Sequence, residues 1–414
     1  VSPTKAALLA TAVLLTALGG RPPVPAHDAP GRPQERVRLD GSGECTYPST
    51  QQFKARPWSL QRVLLDELWQ GTDKGKGVRV AVVDTGVDDK NPQLTAAVDK
   101  AAGLDLLTGG KSGGDPTNDE VGHGTKVAGI IAARPREGTG FVGLAPNATV
   151  IPIRQNDADS SGDSGTMARA IDHAVARGAD VVNISQDTTK PLSATSALAE
   201  AVRKAIARNV VVVASAGNDG LDGKVKNTYP AAFDGVLAVA SSDRNNERAA
   251  FSQPGDFVGV AAPGVDIVST VPGGGQCTDS GTSFSAPFVA GVAALLKEKY
   301  PHWTAAQIVT RIEQTAERSV NGHDNFVGWG VVDPVRAVQE SGLADPPSTP
   351  TPDPGVTRVQ APDVAPFSLA ETPAERSERL AIRVLGVTAV LVTVIAGTAV
   401  VLRDLRRRRG ERRA

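Results

Sequence analysis

The chemistry most readily read from this chain is nucleophilic, and it centres on Ser283. That serine lies in the small-residue run Gly281-Thr282-Ser283-Phe284-Ser285-Ala286-Pro287, which passes directly into an apolar segment from Phe288 to Lys297. Such a turn holds a hydroxyl at a helix N-terminus, where unpaired N–H groups and the positive end of the helix dipole favour a developing negative charge. A serine is a weak nucleophile unless a base takes its proton and a third group orients that base. Candidates for both lie upstream. Val78 to Asp84 is an apolar run ending in a carboxylate, and Gly122-His123-Gly124-Thr125 opens a second apolar helix. The order Asp84, His123, Ser283 is one of those in which acid, base and nucleophile are assembled along a chain. A fourth group is Asn218, at the end of the run Val211 to Gly217, whose amide could donate to an oxyanion.

Residues so far apart in sequence need a frame, and the pattern around them supplies one. Strand-like apolar runs at Thr149 to Arg154, Asp180 to Ser185 and Val210 to Ser215 alternate with amphipathic segments at Thr166 to Arg177 and Ser193 to Arg208. Strands that are apolar throughout, separated by amphipathic helices, predict an α/β fold: a parallel sheet covered by helices on both faces. Open sheets of this kind bind ligands at the carboxyl ends of their strands, where Asp84 is expected. Two more strands are expected at Val236 to Ser241 and Phe257 to Ala262, and a helix at Thr304 to Ala316 with Thr304 as its N-cap. Trp58 to Trp69 has the helical spacing of Leu60, Val63, Leu64 and Leu68. With 40% hydrophobic residues and 43 glycines but 4% aromatics, the core is expected to be built of Ala, Val, Leu and Ile. The formal net charge of −1 gives no footprint for nucleic acid.

At these four blocks, around Asp84, His123, Asn218 and Ser283, the sequence resembles the subtilisin-like (S8) serine proteases, over roughly Trp58 to Gln339. The resemblance implies peptide hydrolysis by an Asp84–His123–Ser283 triad without a cofactor or catalytic metal. It also implies an oxyanion hole at Asn218, and substrate binding along Ile184, Ser185 and Gln186 and along Ala216 and Gly217. Where the family commonly reads Ser-Leu-Gly-Gly, this chain reads Ser185-Gln186-Asp187-Thr188, so its specificity pocket departs from the pattern. Gly328-Trp329-Gly330-Val331-Val332-Asp333 resembles the closing segment of the same fold.

The flanking regions say where such a domain would work. Residues 1–26, with the apolar run Ala6 to Leu18 after Lys5 and the small-residue site Val24-Pro25-Ala26, read as a secretory signal peptide; an uncleaved anchor is the alternative. Residues 27–57 form a polar, Pro-rich extension too short to be a large folding prodomain. It carries Cys45, and the one other cysteine, Cys277, lies six residues before Ser283. In an exported protein the two are expected to pair, although two free thiols are also compatible with the sequence. Closing a loop of about 230 residues would stabilise the fold by about 4 to 5 kcal/mol.

The peptidase domain is expected over 58–341. The acidic, Gly-rich loop Thr108 to Glu120 lacks the fixed spacing of an EF-hand and reads as solvated rather than calcium-binding, as does Asp157 to Asp163. His173, His302 and His323 have no motif around them and read as surface or packing residues, and His27 is equally unmarked. Residues 342–381 form a Pro-rich linker. After it, 382–402 contains 19 uncharged residues from Val384 to Leu402, about 28 Å as a helix and close to the thickness of a hydrocarbon core. The tail 403–414, with Arg403, Arg406 to Arg409, Arg412 and Arg413, is strongly basic and expected to be cytoplasmic, leaving the catalytic domain outside.

This order of parts resembles the mycosins, membrane-anchored proteases of type VII secretion systems. It implies a secretion membrane complex as partner and exported proteins as substrates. A structural subunit of that complex and a free-standing surface protease are the other two readings.

Overall fold

The computed structural model describes residues 47–107, 114–157, 163–318, 320–340, 349–352 and 373–411. The signal peptide, Cys45, residues 108–113 and 158–162 of the two acidic loops, most of the linker, Arg412 and Arg413 lie outside the described residues.

Valine-rich runs bury their side chains on both faces of a sheet. In β1 (Arg79–Asp84), Val80 and Val82 enter one core while Ala81 and Val83 enter another, all fully buried. The strands β2 (Leu104–Asp105), β3 (Thr149–Arg154), β4 (Val181–Ile184), β5 (Val211–Ser215), β6 (Leu237–Ser242) and β7 (Val258–Pro263) complete a sheet of order β2-β3-β1-β4-β5-β6-β7, parallel throughout. Its order reverses at β1, flanked by β3 and β4, so Asp84 ends the strand at the switch point, where side chains can converge on a ligand.

The helices α4 (Ser164–Ala176) and α5 (Ala197–Ala207) cover one face. On the other lie α3 (His123–Ala132), α6 (Thr282–Lys299) and α7 (Ala305–Thr315). The expected α/β architecture is therefore present. Asp163 caps α4 and Thr304 caps α7, each in a reciprocal capping box that satisfies otherwise orphaned N–H groups. A short helix α8 (Pro334–Gln339) closes the domain.

Two expectations need correction. Trp58 to Trp69 is not one helix but two short ones, α1 (Trp58–Arg62) and α2 (Leu65–Leu68). Leu64 breaks them with φ of 50°; it is 51% exposed, whereas Leu60, Val63 and Leu68 are buried. The apolar spacing came from contact with one core and not from a continuous helical stripe. Near the other end, α9 (Pro373–Glu411) begins inside the segment read as linker.

Beyond the sheet, β8 (Ile267–Thr270) and β9 (Gln276–Asp279) form an antiparallel hairpin that leads into α6. The described part of the N-terminal extension lies against it. Gln276 N donates to Gln51 O (2.9 Å), Gly140 N donates to Phe53 O (2.8 Å), and the Gln276 side chain accepts from Phe53 N (2.9 Å).

Residues 353–414 are a separate unit, described here only as α9. This helix has a mean hydropathy of 2.4 over its most apolar stretch, which makes it long and apolar enough to cross a membrane. Thr388, Thr393 and Thr398 each donate to the carbonyl four residues earlier (2.7, 2.8 and 2.7 Å), so their hydroxyls are satisfied within the helix.

Candidate active site

Asp84 and His123 meet where β1 ends and α3 begins. Asp84 is fully buried, and its Oδ1 accepts from His123 Nδ1 at 2.7 Å and from Thr85 N at 2.8 Å. The approach depends on Gly124, because a Cβ there would collide with Gly86 O and lie 3.0 Å from Asp84 Cβ. Burial depresses the imidazole pKa, but the Asp84 charge and its hydrogen bond outweigh this, and the net shift is upward. With Nδ1 bonded to a carboxylate, Nε2 is left as the basic nitrogen.

The loop entering α3 is held by Asp119, which had no role in the sequence reading. Its carboxylate accepts from Thr85 Oγ1, Gly122 N and Thr125 N (each 2.8 Å) and from Thr125 Oγ1 (2.5 Å). Burial still raises its pKa.

Ser283 stands in the first turn of α6 and is partly buried. Its hydroxyl donates to Ser185 O (2.9 Å) rather than to His123 in this arrangement. Pro287 lies inside the helix, so the bond that its N–H would have made to Ser283 O is missing. Ser185 Oγ donates to that carbonyl instead (2.9 Å) and in turn accepts from Asn183 Nδ2 (2.9 Å). Asn183 is buried at the end of β4. The β4 terminus thereby grips the nucleophile's turn from both sides.

Asn218 is oriented by the same turn. Its Oδ1 accepts from Thr282 N and Thr282 Oγ1, both at 2.9 Å, which reserves Nδ2 as a donor. The Ser283 N–H has no acceptor among the described residues, whereas Phe284 N is bonded to Gly281 O (3.0 Å). Two free donors thus face one helix N-terminus, an arrangement suited to an oxyanion. Ile184 pairs with Ala214, so the continuations Ser185-Gln186 and Ala216-Gly217 leave neighbouring strands side by side. The structure joins Asp84 to His123, Ser283 to Ser185 and Asn218 to the Thr282 turn, and sets Ser185-Gln186 beside Ala216-Gly217, while Cys45 is outside the described residues.

Residues 75–330 match the family Peptidase_S8, Subtilase family. The chain belongs to the subtilases. It is 35% identical to Mycosin-4 of Mycobacterium tuberculosis over 92% of this chain and 90% of that protein. It is also 39% identical to an alkaline protease of Alkalihalobacillus alcalophilus, over 67% of this chain and 68% of that one. Among solved structures, MycP1 from Mycobacterium smegmatis aligns with a TM-score of 0.63 at 31% identity, covering 80% of this chain and 92% of its own. MycP3 protease from the type VII (ESX-3) secretion system aligns with a TM-score of 0.63 at 32% identity, covering 70% and 92%. This subtilase is a serine endopeptidase related to the mycosins.

One part of the subtilase site escaped the sequence reading because its residues are far apart in the chain. Lys126, one turn after His123, forms a 2.6 Å ion pair with Asp279 at the end of β9, and its side chain is 8% exposed. The Phe284 ring lies between them and the base, 5.6 Å from Lys126 Nζ and 5.4 Å from the imidazole centroid. The Lys126 charge opposes protonation of His123. Lys126→Met removes that opposition and leaves Asp279 uncompensated, so the His123 pKa rises. A general base acts only when neutral, so with His123 in that role the acid limb of a kcat/KM profile on a neutral peptide is expected to move to higher pH. An unmoved limb would show that the lysine charge is screened from the imidazole.

Proposed function

We propose that this subtilase is a membrane-anchored serine endopeptidase working through Asp84, His123 and Ser283 on exported proteins, as part of a type VII secretion complex. The observation that carries the catalytic reading is the 2.7 Å bond from His123 Nδ1 to the fully buried Asp84, beside the helix end that holds Ser283. For catalysis the Ser283 hydroxyl rotates from Ser185 O to His123 Nε2, which takes its proton as Oγ attacks the peptide carbonyl. Asp84 stabilises the imidazolium that forms. The Asn218 amide and Ser283 N–H hold the oxyanion; His123 then protonates the leaving amine, and water hydrolyses the acyl-enzyme. Substrate binds extended beside Ile184, Ser185 and Gln186 on one side and Ala216 and Gly217 on the other.

The cellular setting is supported by α9, whose apolar centre is followed by arginines, and by similarity to Mycosin-4 over nearly the whole chain. On this reading residues 1–26 direct export, α9 anchors the domain outside, and the arginine-rich tail lies in the cytoplasm. Cys277 is not free, and Cys45 is its proposed partner, clasping the extension to β9 next to the site. Domain boundaries at 58–341 and 382–402 accompany this proposal.

Labelling of the detergent-solubilised full chain with a serine-directed fluorophosphonate tests the catalytic assignment. Wild type is expected to label and Ser283→Ala to remain unlabelled. A folded wild type that does not label would displace catalysis in favour of a structural role in the secretion complex. Affinity purification from the native membrane tests the partner assignment, and recovery of the chain alone would favour a free-standing surface protease.

A further inference from the structure

The segment that departs from the family pattern places a carboxylate in the substrate cleft. Ile184 and Ala214 are register partners in adjacent parallel strands, so 185–188 and 215–218 run alongside each other beyond the sheet. A carbonyl attacked by Ser283 must lie within reach of both Ser283 Oγ and the Asn218 amide. Ser283 Oγ is 2.9 Å from Ser185 O, so the residue owning that carbonyl is straddled by Ser185 and Asn218. Its side chain is directed into the gap between the two segments.

The walls of that gap are visible around Gly217. A Cβ at Gly217 would lie 3.1 Å from Asp187 Oδ2 and 3.0 Å from Thr228 Cγ2. With φ of 101°, the position also disfavours any residue but glycine. Thr228 is fully buried and spends its hydroxyl on Ala216 O (2.8 Å), so it offers the gap only its methyl group. The charged group at this wall is Asp187. Desolvation, followed by the like charge of Asp219, pushes its carboxyl up to about 6. Lys190 lines the same hollow but is not among the influences on this carboxylate, and Lys224 and Lys226 pair with Asp222 (3.9 and 3.3 Å). Asp187 has no counter-ion or hydrogen-bond donor among the described residues. An apolar side chain in the gap would strip water from an ionised carboxylate, and an acidic one would be repelled. An ammonium or guanidinium would supply the missing charge.

We propose that Asp187 is the specificity-determining residue of this site, receiving the cationic head of a Lys or Arg whose own carbonyl is attacked by Ser283. The proposal rests on the triad reading above. It adds a substrate class: proteins cut on the carboxyl side of a basic residue.

The test uses the full-length enzyme in detergent and a series of Ala-Ala-Ala-Xaa aminomethylcoumarin peptides, with Xaa as Lys, Arg, Leu or Glu. Rates are normalised to sites titrated by fluorophosphonate. Wild type is expected to favour Lys and Arg over Leu by about 10²-fold in kcat/KM. Asp187→Asn should collapse that preference by lowering kcat/KM for the Lys and Arg peptides toward the value for Leu. Asp187→Lys should shift preference toward Glu. Wild type that labels normally but cuts Leu as well as Lys, or Asp187→Asn that keeps the basic preference, would overturn this inference and leave the protease reading intact. Wild type that does not label would overturn both.

Discussion

Asp84→Asn is expected to lower kcat by about 10⁴-fold, with much smaller change in KM. The reason is the tautomer. Asp84 Oδ1 receives the His123 Nδ1 proton over 2.7 Å in a setting where the carboxylate is fully buried. Oδ1 also accepts from Thr85 N, while Oδ2 is buried without a partner. An asparagine with its oxygen at the Oδ1 position keeps both bonds but buries its amide where Oδ2 has no partner and removes the charge that stabilises an imidazolium; turned over, it sets that amide against both Thr85 N and His123 Nδ1. If the amide donates to Nδ1, the ring proton moves to Nε2, and the nitrogen that should accept from Ser283 becomes a donor. The loss is therefore chemical rather than steric. It should persist in crystals that show unchanged backbone, and fluorophosphonate labelling should slow in parallel. An Asp84→Asn enzyme within tenfold of wild type would mean that the imidazole is oriented by something other than this carboxylate. Asp119 is the group to suspect, since it too raises the His123 pKa.

The second large effect is on stability. Arg311, on α7, is 1% exposed, yet it bonds to backbone carbonyls and not to a carboxylate among the described residues. Its Nε donates to Ala337 O (2.8 Å), and its Nη2 donates to Arg336 O (3.1 Å) and Glu340 O (2.6 Å). Ala337 O lies in the last turn of α8 and Glu340 O on the residue that ends it, at the negative end of the helix dipole, while Arg336 O also accepts from Glu340 N (3.1 Å). Arg311 thus serves as the C-terminal cap of the helix that closes the domain.

Arg311→Met keeps much of the side-chain volume but takes the guanidinium donor from Ala337 O and Glu340 O, while Arg336 O keeps its bond from Glu340 N. Charge-assisted bonds contribute about 1.5 to 3 kcal/mol each, partly offset by relief of guanidinium desolvation. A net loss of about 2 to 4 kcal/mol follows, equivalent to a Tm lower by roughly 3 to 7 °C for a domain of this size. Thermal unfolding is best followed in the Ser283→Ala background, which prevents self-digestion. Arg336→Ala is the matched control. Its ion pair with Glu340 is 3.6 Å long and half exposed, so its loss should cost less than about 1 kcal/mol. Equal losses from the two variants would refute the capping role.

How much of this was legible beforehand depends on the range of the interaction concerned. Asp84, His123, Asn218 and Ser283 each close or open an element whose type is set locally, by a valine run or by small residues before an apolar helix. Chain order and strand-helix alternation then limit where their ends can meet. Local pattern failed at Trp58 to Trp69, where the left-handed Leu64 divides a segment that keeps one apolar face. It also had no means of seeing the Ser185 hydroxyl replace the bond that Pro287 denies to Ser283 O, because the two lie 98 residues apart.

The sequence by itself determined the parallel α/β frame, the four candidate groups Asp84, His123, Asn218 and Ser283, and the apolar C-terminal helix. Each of these follows from periodicity or composition over fewer than twenty residues. Only the tertiary structure decided what surrounds those groups: the Lys126–Asp279 pair near the base, the Asp119 knot under the histidine turn, and the Asp187 carboxylate set against Gly217. Their contacts are made by side chains from different strand ends. Which ends become neighbours is settled by sheet order and register, and these depend on packing summed over the whole core.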